Sequence, residues 1–176
     1  NRPVIDLLAT WLGDLGFACE IQEVAPGKFN LLASYGSGPG GLVLAGHSDT
    51  VPFDAELWAS DPLRLREADD RWYGLGSCDM KGFFALVIEA VRPLLNQPFK
   101  QPLLVLATCD EESSMSGARA LVDAGRPLGR AAVIGEPTGL RPVRLHKGIM
   151  MESIDIRGQS GHSSNPGYGH SALEAM

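Results

Sequence analysis

The sequence lacks the features that mark several large classes of protein. It has no run of basic residues, and its 15 lysines and arginines against 21 aspartates and glutamates give a net charge of −6. A nucleic acid is therefore not the expected partner. No apolar stretch approaches the ~20 residues that are needed to cross a bilayer, so no membrane span is expected. An acidic chain of this kind is, however, suited to holding cations.

Cysteine is scarce as well. The three cysteines, Cys19, Cys78 and Cys109, contain no C-x-x-C pair, and no signal peptide is recognisable. A reducing compartment is favoured over a disulfide framework, so we expect a cytoplasmic protein. Asn1 stands in place of an initiating methionine and Met176 falls within a predicted helix, which leads us to expect that both ends are cut.

Strand and helix patterns alternate along most of the chain. Helical spacing of apolar residues predicts helices at 4–15, at 80–95 with a kink at Pro93 near its end, and from a Ser113 cap to about Ala124. Extended patterns predict strands at 17–24, 30–35, 42–45, 103–108 and 131–134, of which 42–45 and 131–134 are expected to be buried, and a hairpin around Asp69-Asp70. This alternation indicates an α/β fold with a mixed, mostly parallel sheet flanked by helices.

A second, smaller unit is predicted to begin near 145–155. There the pattern changes to one long run at 147–157, followed by a Gly/Ser-rich turn and the beginning of a helix at Ser171. No internal repeat is present.

Histidine or carboxylates follow four predicted strand or turn ends. The four segments are Gly46-His47-Ser48-Asp49, Gly76-Ser77-Cys78-Asp79, Thr108-Cys109-Asp110-Glu111-Glu112 and Gly135-Glu136-Pro137-Thr138. Because ligands gather at the carboxyl ends of strands in open α/β sheets, we expect these side chains to converge. So many carboxylates cannot stay ionised together without a cation. The mixture of imidazole and carboxylate suits zinc or a related ion, and a carboxylate can bridge two ions.

Two pairs of residues allow more than one interpretation. Asp49 could accept the free imidazole N–H of His47 and fix its tautomer, or it could only begin a turn. If Glu111 and Glu112 lie in an extended segment, they face opposite ways, so that one binds a metal and the other serves as a general base. Alternatively, both acids are favoured by the dipole of the helix that Ser113 caps. We expect Cys78 and Cys109 to be small buried side chains rather than ligands.

Taken together, these motifs resemble those of the M20 family of co-catalytic metallopeptidases and deacylases. The matching segments, which span most of the chain, are 46–52, 73–82, 110–112, 135–138 and 158–164. The resemblance implies two divalent ions, zinc with cobalt as the alternative. It implies that His47 and Glu136 bind one ion, that Glu112 binds the other, and that Asp79 bridges both. It assigns the general base to Glu111 and the partner of His47 to Asp49.

The resemblance also implies a reaction, the hydrolysis of the amide of an N-acyl amino acid. Segments 50–54, 79–85 and 142–148 are most similar to members that convert N-acetylornithine to ornithine and acetate in arginine biosynthesis. Other acyl groups, above all N-succinyl-diaminopimelate, and small peptides are the alternative substrates. A metal-binding module without chemistry is the alternative of another class, but Glu111, a carboxylate beside the metal that is not a ligand, favours the enzyme.

The domain organisation follows from the same resemblance. Residues 1–147 correspond to the first portion of a catalytic domain, and residues 148–176 to the start of a smaller α/β lid domain that mediates dimerisation in many members. His162 would be the lid histidine that stabilises the transition-state oxygen, the alternative being a polar turn residue. A further histidine ligand lies beyond Met176 in the family. We therefore expect an incomplete second metal site, an inactive fragment, and a homodimer when the protein is full length.

Overall fold

The computed structural model describes residues 1–148, 150 and 152–175. The chain divides into two compact units, Asn1–Leu140 and Arg141–Met176. This division falls a few residues before the boundary predicted at 147/148, and the assignment of the second unit as a lid domain stays a prediction. Ile149 and Met151, within the run at 147–157, and Met176 lie outside the described residues.

The first unit contains helices, strands and short 3₁₀ turns in alternation. Its helices are α1 (Arg2–Asp14), α2 (Gly82–Val91) and α3 (Ser116–Asp123). Its strands are β1 (Ala18–Ala25), β2 (Lys28–Tyr35), β3 (Leu42–His47), β4 (Arg66–Ala68), β5 (Arg71–Tyr73), β6 (Leu103–Thr108) and β7 (Ala131–Ile134). The 3₁₀ turns are Ala55–Leu57 and Arg92–Leu94.

Five of the strands form one mixed sheet in the order β1-β2-β6-β3-β7. Strand β3 pairs in parallel with β6 and β7, whereas β2 pairs antiparallel with β1 and β6. Within this five-stranded sheet, all strands except β2 therefore run in the same direction, which confirms the predicted mixed, mostly parallel sheet. β4 and β5 form the predicted separate hairpin, and its turn residues Asp69 and Asp70 have φ angles of 52° and 56°, as a two-residue hairpin turn requires.

Helices cover both faces of the sheet. Helix α1 buries Ile5, Leu8 and Leu12, which its helical spacing places on one stripe, and α1 and α2 pack together on the first face. Leu121 of α3 packs on the second face. Because successive strand residues point to opposite faces, Leu31 belongs to the hydrophobic core on the first face of the sheet and Leu32 to the core on the second face. The loops at the ends of the strands lie outside these two cores.

Two of the predicted helices differ from those observed. Ser113 lies in a turn, and α3 begins only at Ser116, after Met115 with a φ of 55° and no side-chain cap. The prediction of a Ser113 cap is therefore wrong, because a left-handed residue stands between the serine and the helix. α2 ends at Val91, and Pro93 lies in the following 3₁₀ turn rather than in a kinked helix. Proline cannot donate the backbone hydrogen bond that would continue the helix.

Strand β7 is present at the predicted residues but is exposed along its whole length. The prediction of a buried strand is wrong because β7 is the edge strand of the sheet, paired only with β3 within the described part of the chain. An apolar run indicates a strand but does not indicate what covers it.

The second unit, by itself, contains little regular structure. Its described residues form 3₁₀ turns at Pro166–Tyr168 and Leu173–Ala175 and one isolated bridge between Gln159 and His170. The helix predicted to begin at Ser171 is thus only a short 3₁₀ turn. Over the whole described part of the chain, no helix has both the length and the apolar character of a membrane span.

Candidate metal centre

The carboxyl ends of three parallel strands lie at one edge of the sheet. Strand β3 ends at His47, which pairs with Thr108 at the end of β6. β7 ends at Ile134, just before Glu136. The side chains that follow these strands therefore begin from neighbouring positions, as the sequence predicted.

Three of the predicted ligands form a tight group. The ligand atoms of His47, Asp79 and Glu136 all lie within 4.8 Å of one another. The Nε2 atom of His47 is 3.2 Å from Asp79 Oδ1 and 3.8 Å from Glu136 Oε1, and Glu111 Oε2 lies 4.0 Å from it. The His47 side chain is buried, whereas the Asp79 side chain is 51% exposed. The group is therefore anchored in the sheet and open to solvent on its acidic side.

A close approach between β3 and the start of α2 brings Asp79 to His47. A Cβ atom at Gly46 would lie 2.6 Å from Met80 Cε and 3.0 Å from Phe84 Cζ, so a larger residue here would displace the Met80 side chain. Met80 is fully buried, and its sulfur accepts the backbone N–H of His47 at 3.3 Å. Asp79 precedes Met80 through a cis peptide bond. The packing of this methionine thus places the carboxylate beside the imidazole.

The hydrogen bonds of His47 define which of its nitrogens can bind a metal. Nδ1 lies 3.1 Å from the backbone carbonyl oxygen of Asp49. A carbonyl oxygen can only accept, so Nδ1 carries the proton in this contact. The lone pair of the neutral ring is then on Nε2, the nitrogen that faces Asp79 and Glu136. A ligating histidine typically donates its other ring N–H in this way.

Asp49 makes different contacts from those expected. Its carboxylate Oδ1 lies 3.6 Å from His47 Nδ1, farther than the backbone carbonyl of the same residue. Its two carboxylate oxygens instead accept the backbone N–H groups of Glu111, at 3.2 Å, and of Glu112, at 3.1 Å. Asp49 thus contacts His47 through its main chain, while its side chain contacts the segment that follows β6. The predicted role of Asp49 as the partner of His47 stays a prediction.

Glu111 and Glu112 lie in a turn rather than in an extended segment. The premise that they face opposite ways along a strand is therefore wrong, and they also do not belong to the first turn of α3, which begins at Ser116. Glu111 reaches the group around His47, whereas Glu112 is exposed and stands outside the group of three. The role of each residue stays a prediction.

The electrostatics of the group favour a cation. Burial raises the pKa of Glu136, and the charges of Asp79, Glu111 and Glu112 raise it further, while His47 opposes the change. Partial desolvation, followed by the charge of Asp79, likewise raises the pKa of Glu112, although its side chain is exposed. Acidic groups held this close resist simultaneous ionisation unless a positive charge joins them. One imidazole nitrogen with a free lone pair and several carboxylate oxygens are donors that zinc accepts, so the residues fit a divalent ion.

Two residues that were not predicted from the sequence, Asn30 and Lys28, hold the Glu111-Glu112 turn from outside. Asn30 is fully buried in β2; its side chain accepts the N–H of Cys109 at 3.1 Å and donates to the carbonyl of Gly117 at 2.9 Å. Lys28 forms an ion pair with Asp110 and thereby holds the pKa of that carboxyl below its usual range. A polar residue within an apolar strand was the only signal for Asn30.

The remaining predicted residues are two cysteines, Cys78 and Cys109, and one histidine, His162. Cys109 is buried as expected, but Cys78 is exposed, so its prediction as a buried side chain is wrong: it lies in the loop before α2 rather than in the core. His162 belongs to the second unit, where its Nδ1 accepts the backbone N–H of Ser164 at 3.2 Å.

Comparison with known proteins assigns the chain to a family. Residues 43–170 match Peptidase family M20/M25/M40, and this range contains His47, Asp79 and Glu136. The chain belongs to this family.

The curated relatives are more specific. The chain is 53% identical to acetylornithine deacetylase of Klebsiella pneumoniae (strain 342), over 100% of the chain and 46% of the relative. It is 52% identical to acetylornithine deacetylase of Aliivibrio salmonicida (strain LFI1238), over 100% of the chain and 47% of the relative. The chain thus spans about half the length of the curated relatives it matches.

Solved structures share the fold at low sequence identity. Human carnosine dipeptidase 1 is 23% identical with a TM-score of 0.62, over 76% of this chain and 32% of that one. An M20 family metallo-carboxypeptidase from Sulfolobus solfataricus is 18% identical with a TM-score of 0.61, over 74% of this chain and 31% of that one. At this identity the likeness concerns the fold alone.

Proposed function

We propose that the protein containing this chain is a metal-dependent amidohydrolase that converts N-acetylornithine to ornithine and acetate. One observation supports the chemistry most directly: a fourth group, the Glu111 carboxylate, lies 4.0 Å from the imidazole nitrogen that faces Asp79 and Glu136. The site thus combines a set of metal donors with an additional carboxylate. The choice of substrate follows the relatives named acetylornithine deacetylase, at 53% identity.

The donors divide between two ions in this proposal. His47 and Glu136 would hold one ion, Glu112 would contribute to the other, and Asp79 would be shared by both. Zinc is the proposed ion and cobalt the alternative. Divalent ions bound here polarise the amide carbonyl and lower the pKa of a water molecule. Because Glu112 stands outside the group of three, we expect one tighter and one weaker site in this chain.

Glu111 performs the proton transfer. Its carboxylate is partly exposed beside the group, where it can remove a proton from the attacking water and return it to the nitrogen of the leaving amine. His162 donates a hydrogen bond to the carbonyl oxygen as negative charge develops there. The Nδ1 atom of His162 accepts the backbone N–H of Ser164 at 3.2 Å and lies 2.8 Å from the Ser164 hydroxyl, which can also donate to it. With Nδ1 as the acceptor, a neutral ring carries its proton on Nε2, as this role requires.

The setting of the reaction is also part of the proposal. We place the full-length protein in the cytoplasm, as an enzyme of arginine biosynthesis. Residues 148–176 begin a lid domain through which two copies form a homodimer. The chain on its own is expected to show little or no turnover, because it spans about half the length of its curated relatives.

The function is tested in the full-length protein with N-acetylornithine and zinc. Glu111→Gln should lower turnover by ~10²–10⁴-fold, because a general base contributes about that much, while the zinc content stays unchanged. Glu89→Gln, an equivalent change on the exposed side of α2, is the control and should retain full turnover. Equal turnover in the two variants would refute the role of Glu111.

The substrate is tested separately by comparing kcat/KM for N-acetylornithine and N-succinyl-diaminopimelate. A higher value for N-acetylornithine supports the proposed substrate. A higher value for the succinyl compound would replace that substrate while leaving the proposed chemistry in place.

A further inference from the structure

Asp49 contacts both halves of the candidate metal centre with different atoms. Its backbone carbonyl accepts the Nδ1–H of His47 at 3.1 Å, on the side of β3. Its carboxylate accepts the N–H groups of Glu111 and Glu112, at 3.2 and 3.1 Å, on the side of β6. The side chain is only 19% exposed. One residue therefore joins the end of β3 to the turn after β6.

The turn presents its two N–H groups together because of its backbone conformation. Asp110 has a φ of 54°, in the left-handed region, which redirects the chain directly after β6. Successive N–H groups that converge in this way form an anion-binding concavity. Here the anion is the Asp49 carboxylate, with one oxygen for each N–H. Hydrogen bonds to an ionised acceptor are roughly twice as strong as neutral ones.

The far side of the same turn is fixed by other residues. Lys28 pairs with Asp110, and Ser116 donates to the Asp110 carboxylate at 3.0 Å. Asn30 joins Cys109 to Gly117, where a Cβ atom would lie 2.5 Å from the Asn30 Oδ1 atom. These contacts anchor the ends of the turn, whereas the peptides of Glu111 and Glu112 themselves are held by Asp49.

We propose that Asp49 is a positioning residue whose carboxylate fixes the backbone of Glu111 and Glu112. Through its two hydrogen bonds, the Asp49 carboxylate fixes the backbone positions from which the Glu111 and Glu112 side chains extend. The backbone carbonyl of Asp49 meanwhile accepts the hydrogen bond from His47. The distance of 3.6 Å from its carboxylate to His47 Nδ1 is longer than either bond to the turn. The catalytic consequence rests on the proposed function, because a displaced base loses its alignment with the reacting atoms. The structural consequence does not depend on it.

The structural consequence is tested by amide hydrogen exchange, resolved by residue, in the metal-free full-length protein. Asp49→Asn retains the shape and the backbone carbonyl but replaces one acceptor oxygen by an NH₂ donor. We expect the amides of Glu111 and Glu112 to exchange at least ~10-fold faster, by local opening of the turn. Asp61→Asn is the matched control, because Asp61 also accepts a backbone N–H, from Leu63 at 2.9 Å, in another loop. Unchanged exchange at Glu111 and Glu112 in Asp49→Asn would overturn the proposal.

A second readout separates this role from that of an imidazole partner. If Asp49 positions the turn, Asp49→Asn lowers kcat by ~10–100-fold with KM changed by less than about threefold, and zinc affinity at the tighter site is retained. If the carboxylate serves only His47, zinc affinity falls by ~10–100-fold and the exchange of the two amides does not change, which refutes the proposal.

If Asp49→Asn fails to fold, the hydrogen bonds of Asp49 can be measured directly in the wild-type protein. Scalar coupling across hydrogen bonds should connect the amide nitrogens of Glu111 and Glu112 with the carboxylate carbon of Asp49. Absence of both couplings, with those of backbone hydrogen bonds in β3 and β6 observed as a reference, overturns the proposal. If the wild-type protein fails to hydrolyse N-acyl amino acids, the proposed function fails, and these couplings and the exchange rates still decide the role of Asp49.

Discussion

Two sets of carboxylates in the first unit differ in whether a cationic side chain faces them. Glu20 forms a two-pronged ion pair with Arg126, and Asp110 pairs with Lys28, and in each case the cation holds the pKa of the carboxyl below its usual range. Glu112 and Glu136 have raised pKa values, first because of desolvation, which is only partial at the exposed Glu112. Among the described residues, no lysine or arginine forms an ion pair with either of them.

This difference separates the acids that stabilise the fold through ion pairs from the acids that are suited to binding a cation. Glu20 on β1 and Asp110 after β6 each join two parts of the chain through their ion pairs. Glu136 joins no parts in this way and instead lies among carboxylates of the same sign, next to the lone-pair nitrogen of His47. A fold retains such an arrangement at a cost in stability, which a bound cation would reverse.

The largest effect expected from this difference is stabilisation by zinc. Zinc at 100 times its Kd should raise the free energy of unfolding by about 2.7 kcal/mol, because it binds the folded chain and has lower affinity for the unfolded one. The measurement is urea denaturation of the protein in zinc and in a chelator. Glu136→Gln should lose most of this increase, since one ligand is removed.

The control for this prediction comes from the other set of carboxylates. Glu20→Gln removes an acid of the same kind that is paired with Arg126, and its response to zinc should equal that of the wild type. Equal responses of Glu136→Gln and Glu20→Gln would mean that zinc does not bind at the predicted group.

The local patterns of the sequence predicted the scaffold of this site well. Leu103–Thr108 matches the predicted strand, and β3 extends only slightly beyond the predicted 42–45. Because these apolar runs are short and bounded by turns, they could form little else than strands inside a sheet. The proximity of His47 and Glu136 then followed from the common direction of β3 and β7, which brings the ends of these strands together, whereas Asp79 reaches them from the loop before α2.

The turn after β6 could not be predicted in the same way, because distant residues determine it. Ser113 has the right residue type for a helix cap, but the left-handed conformations of Asp110 and Met115 delay the helix to Ser116. The contacts that hold this turn come from Lys28, Asn30 and Asp49, all far away in the chain. A pattern within the turn itself contains no information about them.

A smaller effect of opposite sign is expected when the metal is absent. In the folded protein the pKa of the Glu136 carboxyl is raised above its ordinary value of 4.5. Glu136 therefore retains its proton to a higher pH in the folded state than in the unfolded state. Stability therefore falls as pH rises from about 4.5 through the raised pKa. Glu136→Gln removes this loss and should stabilise the metal-free protein at pH 7 by about 1 kcal/mol or less, the scale of single charge interactions at partly exposed sites.

This prediction is measured by denaturation in a chelator at several pH values. The advantage of Glu136→Gln should disappear below the ordinary pKa, where the wild-type carboxyl is protonated in both states. A variant that is less stable than the wild type at pH 7 in the chelator would show that the acids around His47 do not oppose one another.

The smallest effect is expected at the paired acid, and its pH dependence is reversed. Arg126 lowers the pKa of Glu20 from 4.5, so its stabilisation is complete above the unfolded pKa and is lost as pH falls through the folded pKa. Because the side chains of Arg126 and Glu20 are 37% and 54% exposed, Glu20→Gln should lower the free energy of unfolding at pH 7 by only about 0.5 kcal/mol. Denaturation at pH 7 and at pH 3 measures this difference, which should shrink at the lower pH and in high salt, since salt screens exposed pairs. If Glu20→Gln instead stabilised the protein at pH 7, as Glu136→Gln is expected to do, the two sets of carboxylates would not differ, and the case for a cation at His47 would lose its electrostatic support.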